Sequence, residues 1–241
     1  VCLYGSSHNV MYHLTKINLI REIMNLHIIE NYRFKYLLPQ FDIFSNDKLL
    51  EYIRESVISF YEEEYEKSFF YISKVVICEP SWSAGWAFLG KIQLKLNLLD
   101  DALISLNKSF EIFYNTEHPH YDAGMIYFEK HEYEKAENEF KVALQFSSIL
   151  KNEYLLKLSI TLRKQGKFDE AIKYLKMIEQ KNSKSFAFLF QMGRLNFLKE
   201  NYATAKDYFE RSIKINPKNE TANNFYNMAN DQLNKVTNNL P

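Results

Sequence analysis

The stretch "WAFLGKIQLKLNLLDDALISL", residues 86–106, has apolar residues at helical spacing but keeps a glycine at position 90 and an alanine at position 102. A glycine inside a helix costs up to about 1 kcal/mol relative to alanine, so its presence calls for a packing reason. Working outward in steps of 34 residues supplies one. The window 117–150 places Gly124 and Ala136 at the same two points, and the window 186–219 places Gly193 and Ala205 there. After one extra residue, Lys151, the window 152–185 offers Ser159 and Ala171; backward, 49–82 offers Ser56 and Ser68. Each window reads as helix, short polar turn, helix, with turns such as "KHEY" (130–133), "KQGKF" (164–168) and "KENY" (199–202). The small residues are then notches where the two helices of a pair approach closely, since interaxial distances of about 8–10 Å depend on the residues at the contact. Bulky residues ahead of the glycine, Trp86 among them, are expected to fill the space beside it. Pro80 and Pro217 close second helices, because proline has no N–H and clashes with the preceding turn.

This period, with Trp86, Leu89, Gly90 and Ala102 and their counterparts, resembles the tetratricopeptide repeat (TPR), a pair of antiparallel helices. The resemblance covers five windows: 49–82, 83–116, 117–150, 152–185 and 186–219. It implies an all-α fold, a TPR-type α-solenoid in which helix pairs stack as a right-handed superhelix, each pair needing neighbours to bury its faces. Residues 220–235, with Phe225, Met228, Ala229 and Leu233 as one apolar stripe, are expected to form a C-terminal solvating helix, and 236–241 a frayed tail. Residues 1–48 fall outside the period. Ser6 or Ser7 can cap a helix running to about Glu30, Pro39 interrupts the stretch "YRFKYLLPQF" (32–41), and "SND" (45–47) can cap the first repeat helix. That segment reads as a degenerate repeat, a packing cap or the end of an upstream domain. The chain begins at Val1 rather than Met and reads as a fragment or processed form.

Composition narrows the function classes. Lysine plus arginine and aspartate plus glutamate number 30 each, so no global charge draws the chain to nucleic acid or acidic lipid. Two cysteines, Cys2 and Cys78, cannot build a disulfide framework, which points to a reducing compartment, cytoplasmic or nuclear. No apolar run reaches the roughly 18 residues that span a bilayer. His118 and His120 flank Pro119 with Asp122 and His131 nearby, but the spacing suits a polar inter-repeat turn better than a metal site. "YGSSH" lacks the residues of a nucleophile elbow, the chain has neither a dinucleotide fingerprint nor a phosphate loop, and the acidic run "EEEYE" (62–66) falls in a turn. Cys78, near a helix end without an adjacent base, is expected to pack. No catalytic residue, metal site or cofactor is expected.

The resemblance places the binding surface on the first helix of each pair. Inward positions there are Ile53, Val57 and Phe60; Ala87, Lys91 and Leu94; Tyr121, Met125 and Phe128; Leu156, Ile160 and Arg163; and Phe190, Arg194 and Phe197. A helix with a second apolar stripe must cover it with something. The expected partner-binding residues are Lys91, Tyr121, Met125, Phe128, Lys157, Ile160, Lys164, Phe190, Arg194 and Phe197. The implied partner is a protein or peptide segment, apolar with some acidic residues, with no direct nucleic-acid binding and with self-association left open. The chaperone-tail clamp of some TPR domains needs Lys, Asn, Asn, Lys and Arg; the first of three registers offers Ile53, Val57, Phe88, His118 and Asp122, and the others match no better. The implied function is an interaction scaffold, with a docking module of a larger enzyme as the alternative. "DAGMIYFEKHEYEKAENEF" adds a weak likeness to the arrays of general transcriptional corepressor subunits, which would imply a nuclear setting.

Overall fold

A computed structural model describes residues 47–147 and 151–238. The expectations for residues 1–46, including the Ser6 or Ser7 cap, lie outside the described residues. Twelve helices follow one another among the described residues, with no strand between them. The chain divides into two compact units, Val1–Asp122 and Ala123–Pro241.

In the first unit, α1 (Asp47–Tyr61) pairs with α2 (Tyr65–Cys78), and α3 (Ser83–Lys95) with α4 (Leu99–Ile112). Its core gathers Ile53, Val57 and Phe60 from α1, Ile72 and Val75 from α2, and Leu89 and Ile92 from α3. In the first pair, serines stand where later pairs carry glycine and alanine. Ser68 Oγ donates to the Ser56 carbonyl at 2.6 Å, so the hydroxyl is satisfied across the helix contact. Helix α5 (Glu117–Glu129) crosses the division between the units. The second unit continues with α6 (Tyr133–Phe146), α7 (Lys151–Lys164), α8 (Phe168–Lys176), α9 (Glu179–Asn182), α10 (Phe186–Leu198), α11 (Tyr202–Ile215) and α12 (Glu220–Asn238).

The notch residues meet the second helix of their own pair, but what fills the notch differs from the expectation. A Cβ on Gly90 would stand 2.8 Å from Leu106 Cγ, and one on Gly124 or Gly193 would stand 2.6 Å from a ring carbon of Phe140 or Phe209. These large residues lie one turn beyond Ala102, Ala136 and Ala205, on the same helix face. The small residue on the first helix therefore admits a large one from the second. Trp86 is only half-buried: its Nε1 donates to the Pro80 carbonyl at 2.8 Å and Lys108 lies over its ring at 4.1 Å. The buried tryptophan is Trp82, which Gly85 accommodates.

Each helix pair among the described residues is closed by the same backbone device. Glu63, Asn97, His131, Gly166 and Glu200 all have φ between 60° and 77°. The N–H of the next residue reaches five residues back: Glu64 to Ser59, Leu98 to Gln93, Glu132 to Tyr127, Lys167 to Leu162, and Asn201 to Asn196, at 2.8–2.9 Å. This is the Schellman arrangement, which satisfies carbonyls orphaned at a helix end. The same residue's carbonyl then receives the first bond of the second helix, as in Ala136 N–H to Glu132 at 3.0 Å. Four of the five left-handed positions carry a side chain, although this backbone region favours glycine.

Two stretches depart from the expected lengths. The second helix of the window 152–185 is broken at Met177 and Ile178, whose N–H groups bond three residues back, to Tyr174 and Leu175. That tighter turn buries Ile178 and leaves Met177 exposed before the short α9. Helix α12 continues through Asn238, with Thr237 Oγ1 donating to the Leu233 carbonyl, so residues 236–238 are helical rather than frayed. Its buried positions are Ala222 and Ala229, with Phe225 and Tyr226 partly buried, whereas Met228 is 49% exposed and lies off the expected stripe.

Candidate partner-binding site

The ten residues expected to bind a partner distribute over both units. Lys91 and Tyr121 belong to the first. Lys91 on α3 holds its ammonium 5.2 Å from the Phe60 ring centre, and Tyr121 is 5% exposed, so its ring is packed. Ile53, Val57 and Phe60 are core as well, because the first pair turns both apolar stripes of α1 inward. The other eight lie in the second unit: Met125 and Phe128 on α5, Lys157, Ile160 and Lys164 on α7, and Phe190, Arg194 and Phe197 on α10.

On α7, Tyr154, Leu155, Leu158 and Leu162 are fully or almost fully buried and bind the helix to its neighbours. Leu156, Lys157 and Ile160, on another side, are half-exposed, and Lys164 at the helix end is exposed. The second stripe expected from the sequence is therefore present here at the surface. Phe128, on the preceding first helix, packs edge-on against Tyr133 at 5.6 Å.

On α10 the second stripe has a different destination. Phe190 lies 5.8 Å from both Phe209 and Phe225, and Phe197 lies 6.0 Å from Phe225 and 5.5 Å from Tyr202. Phe225 belongs to α12, so the chain's own last helix covers much of the apolar surface that the sequence reading offered to a partner. Aromatic pairs of this kind add about 0.5–1.5 kcal/mol beyond their buried area.

Arg194 sits between these phenylalanines, with its guanidinium 5.7 Å from the Phe190 ring centre and 5.2 Å from that of Phe225. Burial lowers its pKa. Arg163, from the last turn of α7, is 9% exposed and donates from Nε to Gln191 Oε1 at 3.3 Å. Burial first, and then the charge of Arg194, lower its pKa to about 10. The sequence reading placed Arg163 on this face without selecting it for binding; its position one turn beyond Ile160 was the available signal.

Elsewhere in the unit, charge is tightly matched. Glu137 is buried and accepts hydrogen bonds from Lys141 at 2.5 Å, Lys167 at 2.8 Å and Gln165 at 2.9 Å. Burial alone would raise its pKa, but the hydrogen bonds from the two lysines and the glutamine outweigh that and hold it at about 2. Gln165 also donates to the Tyr133 carbonyl, and Lys199 pairs with Asp169, tying successive helix pairs together.

His118 and His120 do not form a polar turn. His118, Pro119 and His120 lie in the first turn of α5, where proline is tolerated because its missing N–H would have had no helical partner. His120 is 1% exposed, stacks on Phe110 at 4.3 Å, and donates from Nε2 to the Tyr114 carbonyl at 3.0 Å. Among the described residues, no three His, Cys, Asp or Glu side chains gather as metal ligands would. Cys78, expected to pack, is exposed at the end of α2. No helix among the described residues is long and apolar enough to cross a membrane.

Consecutive helix pairs with recurring small–large notches define an all-α repeat protein. Residues 153–185 and 186–219 each match the tetratricopeptide repeat family. Residues 153–219 thus carry two tetratricopeptide repeats, and the fold class of the described residues is the TPR-type α-solenoid. It is 27% identical over 179 residues to a TPR repeat-containing protein of Methanocaldococcus jannaschii, covering 70% of this chain and 31% of that protein. The chain thus spans about a third of the length of this curated relative. Among solved structures it is similar to MamA, with a TM-score of 0.61, 18% identity, and coverage of 70% of this chain and 92% of MamA. It is also similar to YrrB, described as a TPR protein with an unusual peptide-binding site, with a TM-score of 0.62, 16% identity, and coverage of 71% and 88%. The likeness to corepressor arrays gains no support from these relatives.

Proposed function

We propose that this chain is a protein-interaction scaffold without catalytic activity of its own, and that its second unit receives a polypeptide segment along α7 and the adjoining part of α10. The observation that carries this reading is the half-exposed strip Leu156, Lys157 and Ile160, bordered by Lys164 and Arg163, on a helix whose other side is buried. Apolar positions that remain uncovered beside cations suit a segment carrying apolar and acidic residues together. The peptide-binding site named for YrrB supports the reading by analogy of fold. We read the windows 49–82, 83–116 and 117–150 as repeats too, since their pairs close with the same backbone turn as those of residues 152–219.

The reading is tested by selecting a random twelve-residue peptide library on the immobilised 241-residue chain and measuring selected peptides by fluorescence anisotropy. Ile160→Glu, at a half-exposed position, should weaken them at least tenfold while leaving the helical melt in place. Peptides indifferent to Ile160→Glu would move binding off this strip. A second reading, a docking module within a longer protein, is favoured by the relative that extends well beyond the matched span.

A further inference from the structure

Arg163 and Arg194 stand on neighbouring first helices, linked through Gln191, which accepts from Arg163 Nε and lies one turn before Arg194 on α10. This is an unusual arrangement for buried charge. Arginine is almost never so fully buried unless paired, and an uncompensated buried charge destabilises a fold. The contrast inside the same unit is Glu137, with three donors on its carboxylate. Arg163 has a single bond of 3.3 Å, made through Nε to a neutral amide. That bond uses Nε alone, so the two Nη groups are the donors the guanidinium can offer to a partner. The carbonyl end of α7 compensates Arg163 in part, but Arg194 lies well before the end of α10 and gains no such help. Its cation–π contacts with Phe190 and Phe225 hold it in place without neutralising it.

We propose that Arg163 and Arg194 together bind one carboxylate of a partner polypeptide, an aspartate or glutamate whose flanking apolar side chains rest on Leu156 and Ile160. This rests on the scaffold reading above and adds the chemical group that the site selects. Guanidinium forks match carboxylate geometry and can hold it through paired N–H donors. A monoanion suits the site better than a phosphate dianion, because the negative end of the α7 macrodipole repels extra negative charge. Gln191 keeps the Arg163 guanidinium oriented while the site is empty of its partner.

The test is a thermodynamic cycle on the full chain, using peptides from the selection above. One axis exchanges the peptide's acidic residue for its amide; the other is Arg163→Gln with Arg194→Gln. On the unmodified protein, the amide peptide should bind at least tenfold more weakly; on the double variant, the acidic and amide peptides should bind alike. The double variant should melt no lower than the unmodified chain, since it removes one buried and one half-buried like charge, and Arg163→Lys should restore part of the acid preference. Selected peptides that lack acidic residues, or an acid preference unchanged by the double variant, would overturn the carboxylate site. If those peptides still respond to Ile160→Glu, the scaffold reading stands alone; if no peptide is recovered, both readings fall. A phosphoserine in place of the acidic residue, binding more tightly through the same arginines, would reassign the site to phosphate and overturn the proposal.

Discussion

The ring of Phe140 occupies the place that a side chain on Gly124 would need, its Cε1 lying 2.6 Å from where the Cβ would stand. Phe140 is fully buried and has no room to retreat, so the pair works only with glycine on α5. Gly124→Ala should lower stability by about 1–3 kcal/mol, the usual cost of overfilling a packed contact. Gly193→Ala should behave alike against Phe209, while Ala203→Leu, at an exposed site on α11, should change little. Thermal melts followed by circular dichroism decide the matter; equal midpoints for all three would refute the notch.

The left-handed turn positions make an opposite prediction. Glu63 and Glu200 are exposed and have φ of 61° and 63°. Glycine there removes a strain of about 1–2 kcal/mol and adds up to about 1 kcal/mol of unfolded-chain entropy. Glu200→Gly should therefore raise the melting midpoint slightly. Gly166→Ala should lower it, although a Cβ at that point would meet nothing within 4 Å, because its φ is 77°. A shared sign for the two substitutions would show that backbone strain does not govern these turns.

Acid should find Glu137 first. Its folded-state pKa of about 2 lies below its ordinary value of 4.5, so the ionised carboxylate stabilises the fold above pH 4.5. That contribution is lost as pH falls from 4.5 through about 2, on the order of 2 kcal/mol after allowing for the half-exposed lysines. Urea titrations at a series of pH values should show Glu137→Gln less stable at pH 7 and flatter between pH 5 and 2. A parallel acid slope in both proteins would contradict the assignment.

Phe225 should act as the fastener of α12. Replacing it with alanine removes ring contacts to Phe190, Phe197 and Phe209 and should cost about 3–5 kcal/mol of local stability. Hydrogen exchange should then quicken in α12 while α7 keeps its protection. Uniform loss of protection through the second unit would show that α12 does not open separately.

The helix pairs and their turns were legible because small residues recur at a fixed step, and the segments "KHEY", "KQGKF" and "KENY" coincide with helix breaks at 130–132, 165–167 and 199–201. The partner of each notch was not, because a period reveals which positions are small without revealing which large side chain enters. The apolar faces of α7 and α10 looked equivalent in sequence. Only the asparagine-rich α12, which contributes Ala222, Phe225 and Ala229, distinguishes them by covering Phe190 and Phe197. His120 was misjudged for a related reason: its aromatic face, against Phe110, outweighs its polarity. The buried Arg163 could not be told from a surface arginine, since burial depends on what the next first helix lays across it.

The five left-handed turns carry a mechanical consequence. Each binds the end of one helix to the start of the next through backbone groups alone, and the principal contacts within the second unit link helices adjacent or nearly adjacent in sequence. Contacts so local give a low contact order and fast folding. Under tension applied along the second unit from its C-terminal end, α12 should peel away first at Phe225, and the helical hairpins behind it should rupture one after another. Extension would then advance in hairpin-sized steps, with the Glu137 tether among Lys141, Lys167 and Gln165 setting the strongest resistance met on the way.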